Sequence, residues 1–540
     1  MKALSTWLAR STPNDRQQVT VLLLSMALYL FHVTWFSTWQ IEDAAITYAY
    51  ARNFAMGDGF VTNVGDEWVE GFSNPTWTLL LAGCVALGLD PFAMGKLLGA
   101  LFGLACLPLA WLWARRLQPH DDSLWPALAP LALALSTQHA LWSVAGLENS
   151  LLSLLMAAGA VSILREGDQR SFAWSGIPLG LLAFTRPEAP LYATIFVVVG
   201  GPAAFRRGGV RWLGSFVTLS AIPFFAWHAW RYQAFGWTFP NTYYAKLGEK
   251  KFWAWRWGQR CWTYLRSWSL NTAHVFLLPV FALGQAGARG WPARMALGVV
   301  GVLFLLLLPG LDFFHAWFPD VAFWEEPKSI MYLRVPWLAL VPVVLLSLGL
   351  LREVGVRART LAGLLVFAVF FFAVFSGGDW MRGYRWMAMC AVPLSVLLAD
   401  AVQTVALVLV PRFARLSRLG LNTVAFGLAL PVLLPNIGLT IDVLTHVDTS
   451  PFDVRRRVLY LQGIRDRVGI DFVRHTEVDM GANVYFSGFE VVDLAGLCNV
   501  PVARHHYPVW FVDSFFQYER NPTIAHIHGS WANKTKVYRR

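Results

Sequence analysis

The chain has 540 residues, of which 56% are hydrophobic and 14% are charged, and its formal net charge is +11. An ordinary soluble domain carries about 25% charged residues, so this composition argues against a soluble globular protein. The basic excess does not indicate nucleic-acid binding, because the arginines cluster at the ends of apolar segments and do not line one polar face. The five cysteines lack the spacing of a metal or redox site.

Apolar segments long enough to cross a bilayer recur along the chain. The first follows a cationic start and lacks a small-residue cleavage site, which predicts a retained span and not a signal peptide. Counting segments of roughly 17 or more apolar residues, with shorter ones allowed inside a bundle, predicts about 13 crossings. They begin near residues 19, 91, 124, 150, 172, 188, 212, 271, 295, 336, 360, 386 and 419.

Loop charges predict the orientation. If the N-terminus is cytoplasmic, every predicted inside loop carries two or more arginines, as the positive-inside rule requires. Counting the apolar run 76–89 as a crossing would move those arginines outside, so this run is predicted to be a juxtamembrane helix within a long external loop, 40–90. The odd number of crossings also places residues 442–540 outside.

The predicted fold class is therefore an all-α polytopic membrane protein with external juxtamembrane helices. Residues 1–441 are predicted to form the transmembrane domain. Residues 442–540 change composition, with a charged helical stretch, DVRRRVLYLQGIRDRVG, and a strand-like stretch, VYFSGFEVVDLAG. They predict a small C-terminal α+β domain.

Two acids, Glu42 and Asp43, follow the first span directly. Ionisable groups at a membrane boundary usually face water or a polar cavity. A partly desolvated carboxylate is a stronger base and can deprotonate a hydroxyl group. The residues alone leave an equal alternative, an interfacial acidic pair or the N-cap of the next helix.

The same external loop supplies further polar candidates. Arg52 lies four residues after Tyr48 on the predicted helix AITYAYARNFAM, so the two side chains share a face. Glu70 and Asn74 form a second polar group that leads into the run 76–89. Both groups are candidates for binding a polar substrate.

The segment SGGDWMRGYRWMAM lies at another outer boundary and contains Asp379, Arg382 and Arg385. Planar guanidinium groups suit a phosphate. The alternative is that these arginines only snorkel to the membrane surface. However, the positive-inside rule disfavours arginines on the outer side, and their presence there favours a functional role.

Three smaller external groups are weaker signals. Glu148 belongs to one turn, and Arg186 and Glu188 belong to another; for each turn alone, a structural ion pair is the preferred interpretation. The third is a loop whose mixture suits sugar hydroxyls, aromatic stacking and phosphate contact. Its members are Asn241, Tyr243, Tyr244 and Lys246.

Taken together, these motifs resemble the GT-C fold membrane glycosyltransferases that use polyprenyl-phosphate sugars, particularly the set similar to mycobacterial terminal arabinofuranosyltransferases. The resemblance covers nearly the whole chain. It rests on Glu42-Asp43, ITYAYARN, the GDG turn, VEGFSNPTWTLLLAG, AGLENSLLSLLMA, LLAFTRPEAPL, FPNTYYAK, GGDWMRGYRWMA and DLAGLCN.

The resemblance implies an inverting, single-displacement transfer. Family members commonly have two aspartates at this point, so the base role falls on Asp43, with Glu42 in support. Arg382, Arg385 and Lys246 are expected to bind the donor phosphate. Substrate-binding residues are expected among Arg52, Glu70, Asn74, Glu148, Asn241, Tyr244 and Asp379.

The resemblance also implies the partners and the location. The donor is a polyprenyl-phosphate sugar, with arabinofuranose the first expectation and hexoses open, and the acceptor is a cell-envelope glycan or a protein. Membrane lipid is a partner and nucleic acid is not. The protein is expected in the inner (plasma) membrane with a periplasmic active site.

No metal ligands are identified, although a divalent metal stays open, since pyrophosphate-linked donors in this fold more often need one. The runner-up function is a transporter or flippase of lipid-linked sugars, because many spans and buried charge also fit a translocation pathway. A glycan ligase is an intermediate alternative. A non-enzymatic scaffold is the least specific one.

Overall fold

Helices account for most of the described chain. The computed structural model describes residues 12–117, 124–169, 172–247, 264, 267–268, 271–272, 354–376, 378–409, 434–505 and 509–527. The helices before the long internal gap are α1 Pro13–Trp35, α2 Ala44–Met56, α3 Pro75–Ala86, α4 Pro91–Ala114, α5 Leu128–Leu135, α6 Thr137–Val144, α7 Asn149–Asp168, α8 Gly176–Thr185, α9 Ala189–Phe216, α10 Ile222–Phe235 and α11 Asn241–Leu247. Those after it are α12 Val354–Ser376, α13 Arg385–Ala388, α14 Ala391–Leu409, α15 Pro435–Thr445, α16 Pro451–Val468, α17 Met480–Phe486, α18 Val500–His505 and α19 Val509–Ser514.

Five helical segments of the described chain are long and apolar enough to cross a membrane, which supports a multi-pass membrane protein. They are Pro13–Trp35, Pro91–Ala114, Asn149–Asp168, Ala189–Phe235 and Val354–Ala373. A straight helix of 47 residues, the length of the fourth segment, would be about 70 Å long, more than twice the roughly 30 Å bilayer core. This segment bends at Gly209, whose φ is 57°.

The count of about 13 crossings is not confirmed. The crossings predicted near 124 and 172 correspond to shorter apolar helices, Trp125–Leu135 and Gly176–Thr185, whereas the one predicted near 386 corresponds to α14, Ala391–Leu409, which has 19 residues. A helix of 10 residues is about 15 Å long and cannot cross the bilayer core by itself. The crossings predicted near 271, 295, 336 and 419 lie almost wholly outside the described residues.

The run 76–89 folds as α3, which has 12 residues. Its length of about 18 Å is too short for a crossing. This agrees with the helix expected there, and its juxtamembrane position stays a prediction.

The helical core is built around α7. Both α4 and α9 pack against this helix. Large side chains fill the core, and Trp77, Trp113 and Trp142 are each 1% exposed or less. Burying aromatic side chains of this size stabilises the bundle and fixes the turn before α7, where several candidate site residues lie.

A small parallel sheet lies in the C-terminal segment, which we define as residues 442–540. Its strands are β1 Arg474–Glu477, β2 Glu490–Asp493 and β3 Ile524–Ala525, in the order β2-β1-β3. The charged helical stretch forms α16, which begins with a capping box at Ser450 and ends at Gly469, whose φ is 71°. The strand-like stretch is only partly a strand, because Val484 to Phe486 belong to α17.

Candidate active site

Backbone hydrogen bonds from two distant segments fix the start of the first external loop. Ile41 N donates to the Ala145 carbonyl at 3.2 Å, and Glu42 N donates to the Thr449 carbonyl at 3.1 Å. Asp43 follows as the N-cap residue of α2, yet its side chain makes no capping bond. The carboxylate of Asp43 is therefore not used to cap the helix.

Glu42 faces the C-terminal segment. Its side chain is 4% exposed, and its Oε1 accepts a hydrogen bond from Ala482 N, in the first turn of α17, at 2.8 Å. Burial raises the pKa of Glu42 well above its usual range, and the charge of Asp43 raises it further. Glu42 thus joins the first external loop to the C-terminal segment.

Glu42→Ala is expected to loosen α17 while Glu42→Gln is not. The alanine variant leaves the amide of Ala482 buried without an acceptor, at a cost of about 1–3 kcal/mol, whereas glutamine keeps a carbonyl oxygen there. Hydrogen exchange of the α17 amides in purified protein would measure this. Equal exchange in wild type and Glu42→Ala would show that this contact does not hold the segment.

Asp43 differs from its neighbour. Its side chain is half-buried, and within the described chain it neither accepts a hydrogen bond nor forms an ion pair. Its charge is close enough to act on Lys246, Asp379 and Asp448. The structure therefore brings together four charged groups that are far apart in sequence.

Asp379 and Arg385 each have a buried polar atom without a partner among the described residues. Asp379 Oδ1 accepts from Trp380 N at 2.8 Å, but Asp379 Oδ2 and Arg385 Nε are enclosed and make no hydrogen bond. Burial raises the pKa of Asp379, while the charges of Arg385 and Lys246 oppose the rise. Because native structures rarely leave buried polar atoms unpaired, these two atoms are suited to contact a polar ligand.

Glu148 is the hub of a buried charge network beside this group. Its side chain is fully buried and accepts hydrogen bonds from Arg186, from Arg385 Nη2 at 3.2 Å and from Asn74 Nδ2 at 2.7 Å. Burial alone would raise the pKa of Glu148, but Arg186 and Arg385 lower it to about 2. Both guanidinium groups also lie over the Trp386 ring, at 4.5 and 4.8 Å from its centroid.

The two arginines of the segment 376–389 have different surroundings. The Arg385 side chain is 7% exposed and lies in the Glu148 network. The Arg382 side chain is 43% exposed, and its Nη1 lies 3.3 Å from Asp442 Oδ1, while its backbone amide donates to Asp448 at 2.9 Å. Arg382 therefore lies at the exposed edge of the cluster of charged residues around Asp43. The sequence interpretation missed Asp448, whose only signal was its place at the start of the C-terminal segment.

Glu70 belongs to a separate buried ion pair. Its Oε2 accepts from Arg231 Nε at 2.6 Å, and both side chains are about 5% exposed or less. Burial raises the pKa of Glu70 to about 7, although Arg231 opposes the rise. The sequence interpretation missed Arg231, because it lies 161 residues away on α10.

Arg231→Met is expected to destabilise the protein by about 3–5 kcal/mol, because it leaves the Glu70 carboxylate buried and unpaired. A carboxyl with a raised native pKa binds protons more strongly when folded, so stability falls as the pH rises through that pKa. Without Arg231 the pKa rises further, so the decline should continue to a higher pH in the variant than in the wild type. Thermal unfolding in detergent measures this. The double variant Arg231→Met/Glu70→Gln should recover much of the loss, and no recovery would contradict a buried-charge origin.

Three predicted substrate-binding residues contact the C-terminal segment. Arg52 Nη1 donates to the Tyr485 carbonyl at 2.8 Å, and its guanidinium lies over the Tyr485 ring. Asn241 Nδ2 donates to two carbonyls of the loop after β2, at 2.9 and 3.0 Å. Tyr244 packs its ring against the guanidinium of Arg504. These residues join the external loops to the C-terminal segment.

Among the residues that the structure describes, no three His, Cys, Asp or Glu side chains are grouped as ligands of one metal ion.

Comparison with protein-family models and with curated proteins gives no match. Among solved structures, the chain is similar to the Archaeoglobus fulgidus oligosaccharyltransferase in complex with Zn and sulfate, with 12% identity, a TM-score of 0.47 and coverage of 88% of this chain and 62% of that one. It is also similar to the A. fulgidus oligosaccharyltransferase AglB in complex with an inhibitory peptide and a dolichol-phosphate, with 11% identity, a TM-score of 0.46 and coverage of 89% and 65%. A third similar structure is apo ArnT from Cupriavidus metallidurans, with 13% identity, a TM-score of 0.45 and coverage of 90% and 85%. The chain thus spans less than two thirds of the archaeal enzyme's length.

Proposed function

We propose that this protein is a glycosyltransferase that moves a sugar from a polyprenyl-phosphate donor to a cell-envelope glycan or protein acceptor on the periplasmic side of the inner membrane. The observation that carries the proposal is Asp43, a half-buried carboxylate without a hydrogen-bond partner among the described residues, whose charge is close to those of Lys246 and Asp379. The motif resemblance described from the sequence supports arabinofuranose as the first sugar to test.

Asp43 is the general base in this proposal. Its carboxylate takes the proton from an acceptor hydroxyl, and that oxygen attacks the anomeric carbon of the donor sugar. The bond between this carbon and the lipid-phosphate oxygen breaks, and its electrons leave with the phosphate. A single displacement of this kind inverts the anomeric configuration, because attack and departure take place on opposite faces.

The cations stabilise the leaving group. Negative charge develops on the phosphate as the glycosidic bond breaks, and fixed positive groups at that point lower the barrier. Arg385 is suited to this role because it is buried, held by Glu148 and has an unpaired Nε. Lys246, on α11, adds a compact charge close to Asp43. Arg382 lies at the exposed rim, where it would guide the donor headgroup before the reaction.

Asp379 is suited to bind a sugar hydroxyl. Its Oδ2 is buried without a partner among the described residues, and it can accept a hydrogen bond when ionised or donate one when protonated. A hydroxyl donated to this oxygen would orient the sugar ring between the base and the phosphate. Asn74 and Glu148 would support the site without contacting the sugar. The Asn74 amide already donates to Glu148, and Glu148 also accepts from Arg385.

The test is a transfer assay with purified protein, a synthetic polyprenyl-phosphate pentose and an arabinan acceptor, followed by determination of the product's anomeric configuration. Transfer with inversion supports the proposal, and transfer with retention overturns the single displacement. A parallel assay measures movement of the same donor across proteoliposomes. Movement without transfer, over a panel of pentose and hexose donors, would favour a transporter instead.

A further inference from the structure

A stacked arginine of the C-terminal segment plays no part in the proposed reaction. Arg504, in α18, has its guanidinium carbon 3.7 Å from the ring centroid of Trp237 and 3.3 Å from that of Tyr244. The two centroids are 6.0 Å apart, so the guanidinium lies between the rings. The two ring planes are inclined at 62°, so the guanidinium is held between two differently oriented rings and its edges are left to make hydrogen bonds.

One edge of this guanidinium has no partner. Arg504 Nε and Nη2 are both enclosed, and neither donates to any described residue. These two nitrogens are adjacent and form the side-on fork that binds carboxylate or phosphate with two parallel hydrogen bonds. Leaving a buried donor unpaired is costly, so two such donors on one rigid edge indicate a place for an oxyanion.

This edge lies away from the cations around Asp43. Tyr244 and Lys246 are two residues apart on α11, and this spacing turns their side chains roughly 200° from each other. Asn241, three residues before Tyr244, shares the Arg504 side of the helix. Within the described structure its Oδ1 is buried without a partner, while its Nδ2 is bound to the loop after β2. An unpaired acceptor therefore accompanies the unpaired donors.

We propose that Arg504, held between Trp237 and Tyr244, binds an oxyanion carried by the acceptor: the carboxylate or phosphate of an acidic glycan. The assignment to the acceptor rests on the proposed transferase function, since the donor phosphate belongs on the opposite side of α11 with Lys246 and Arg385. Asn241 Oδ1 accepts a neighbouring sugar hydroxyl.

Binding is tested on the full-length protein without any transfer reaction. Thermal unfolding is recorded with glucuronate, inorganic phosphate or glucose at matched ionic strength, since a bound ligand raises the midpoint by mass action. Glucuronate or phosphate should raise the unfolding midpoint of the wild type more than glucose does. Arg504→Gln should lose this additional rise in the midpoint. Arg504→Lys keeps the charge without the fork and should lose most of it. Arg465→Gln is the matched control, because Arg465 also packs against an aromatic ring but is already paired with Asp466.

The source of the oxyanion is tested by kinetics. For an acidic glycan acceptor, Arg504→Gln should raise the acceptor KM about tenfold or more, the size expected for a lost charge-assisted hydrogen bond, with the donor KM unchanged. A rise in the donor KM alone would assign the anion to the lipid phosphate and overturn the proposal. An unchanged thermal response in Arg504→Gln would also overturn it. Absence of transfer by wild type, with the thermal response intact, would count against the transferase function alone.

Discussion

Asp43→Asn should lower kcat by about a hundredfold or more, the range expected when a general base is removed. The amide has the same shape as the carboxylate but cannot accept the proton of the acceptor hydroxyl. The substrates should still bind, because within the described chain the Asp43 side chain makes no hydrogen bond or ion pair whose loss would disturb the fold. The measurement is steady-state transfer by purified wild type and variant, with the donor and acceptor varied in turn.

Two controls separate catalysis from structure. Glu42→Gln removes the adjacent carboxylate but keeps a hydrogen-bond acceptor for Ala482, so its kcat should fall much less. The unfolding midpoint of Asp43→Asn should match wild type within error. Equal activity of Asp43→Asn and wild type would rule out Asp43 as the base. An equally large loss in Glu42→Gln would assign the chemistry to the pair and not to Asp43.

Glu148→Ala should destabilise the protein by about 3–5 kcal/mol, the cost of breaking a buried ion pair by removing one partner. Arg186 and Arg385 would both lose their shared carboxylate, and each is buried. Activity should fall as well, because Arg385 would no longer be held in place. The pKa of Glu148 is depressed to about 2, so this stabilisation is present above pH 4.5, the usual value, and is lost as the pH falls through about 2.

Thermal unfolding in detergent measures the effect, and Asp442→Ala is the matched control. Asp442 also pairs with an arginine, Arg382, but both side chains are more than 40% exposed. An exposed ion pair contributes about 0–1 kcal/mol. If both variants lowered the unfolding midpoint equally, burial would not be the source of Glu148's stabilising effect.

Local signals in the sequence predicted several elements well. The charged stretch that became α16 begins at a serine with an acid three residues later and ends at a glycine, and both features act within one helical turn. The number of crossings was harder to predict, because an apolar run of 10 to 15 residues suits a short helix packed inside a bundle as well as part of a span.

The candidate site was only partly predictable, because its contacts join distant segments. Glu42 and Ala482 are 440 residues apart, and no local pattern marks such a pair. Arg382 and Arg385 are three residues apart and would share a face on a helix. Gly383 and Tyr384, with φ of 75° and 53°, break that helix, so one arginine is exposed and the other is buried.

The adjacency of Glu42 and Asp43 makes the proposed active site sensitive to the C-terminal segment. Glu42, whose carboxylate binds α17, and Asp43, whose carboxylate is proposed to accept the proton, are consecutive residues. Thermodynamic linkage then works in both directions: an acceptor that binds better when α17 is docked also makes α17 harder to release, by the same factor. The affinity of the protein for the proposed acceptor and the resistance of its C-terminal segment to proteolysis should therefore rise and fall together.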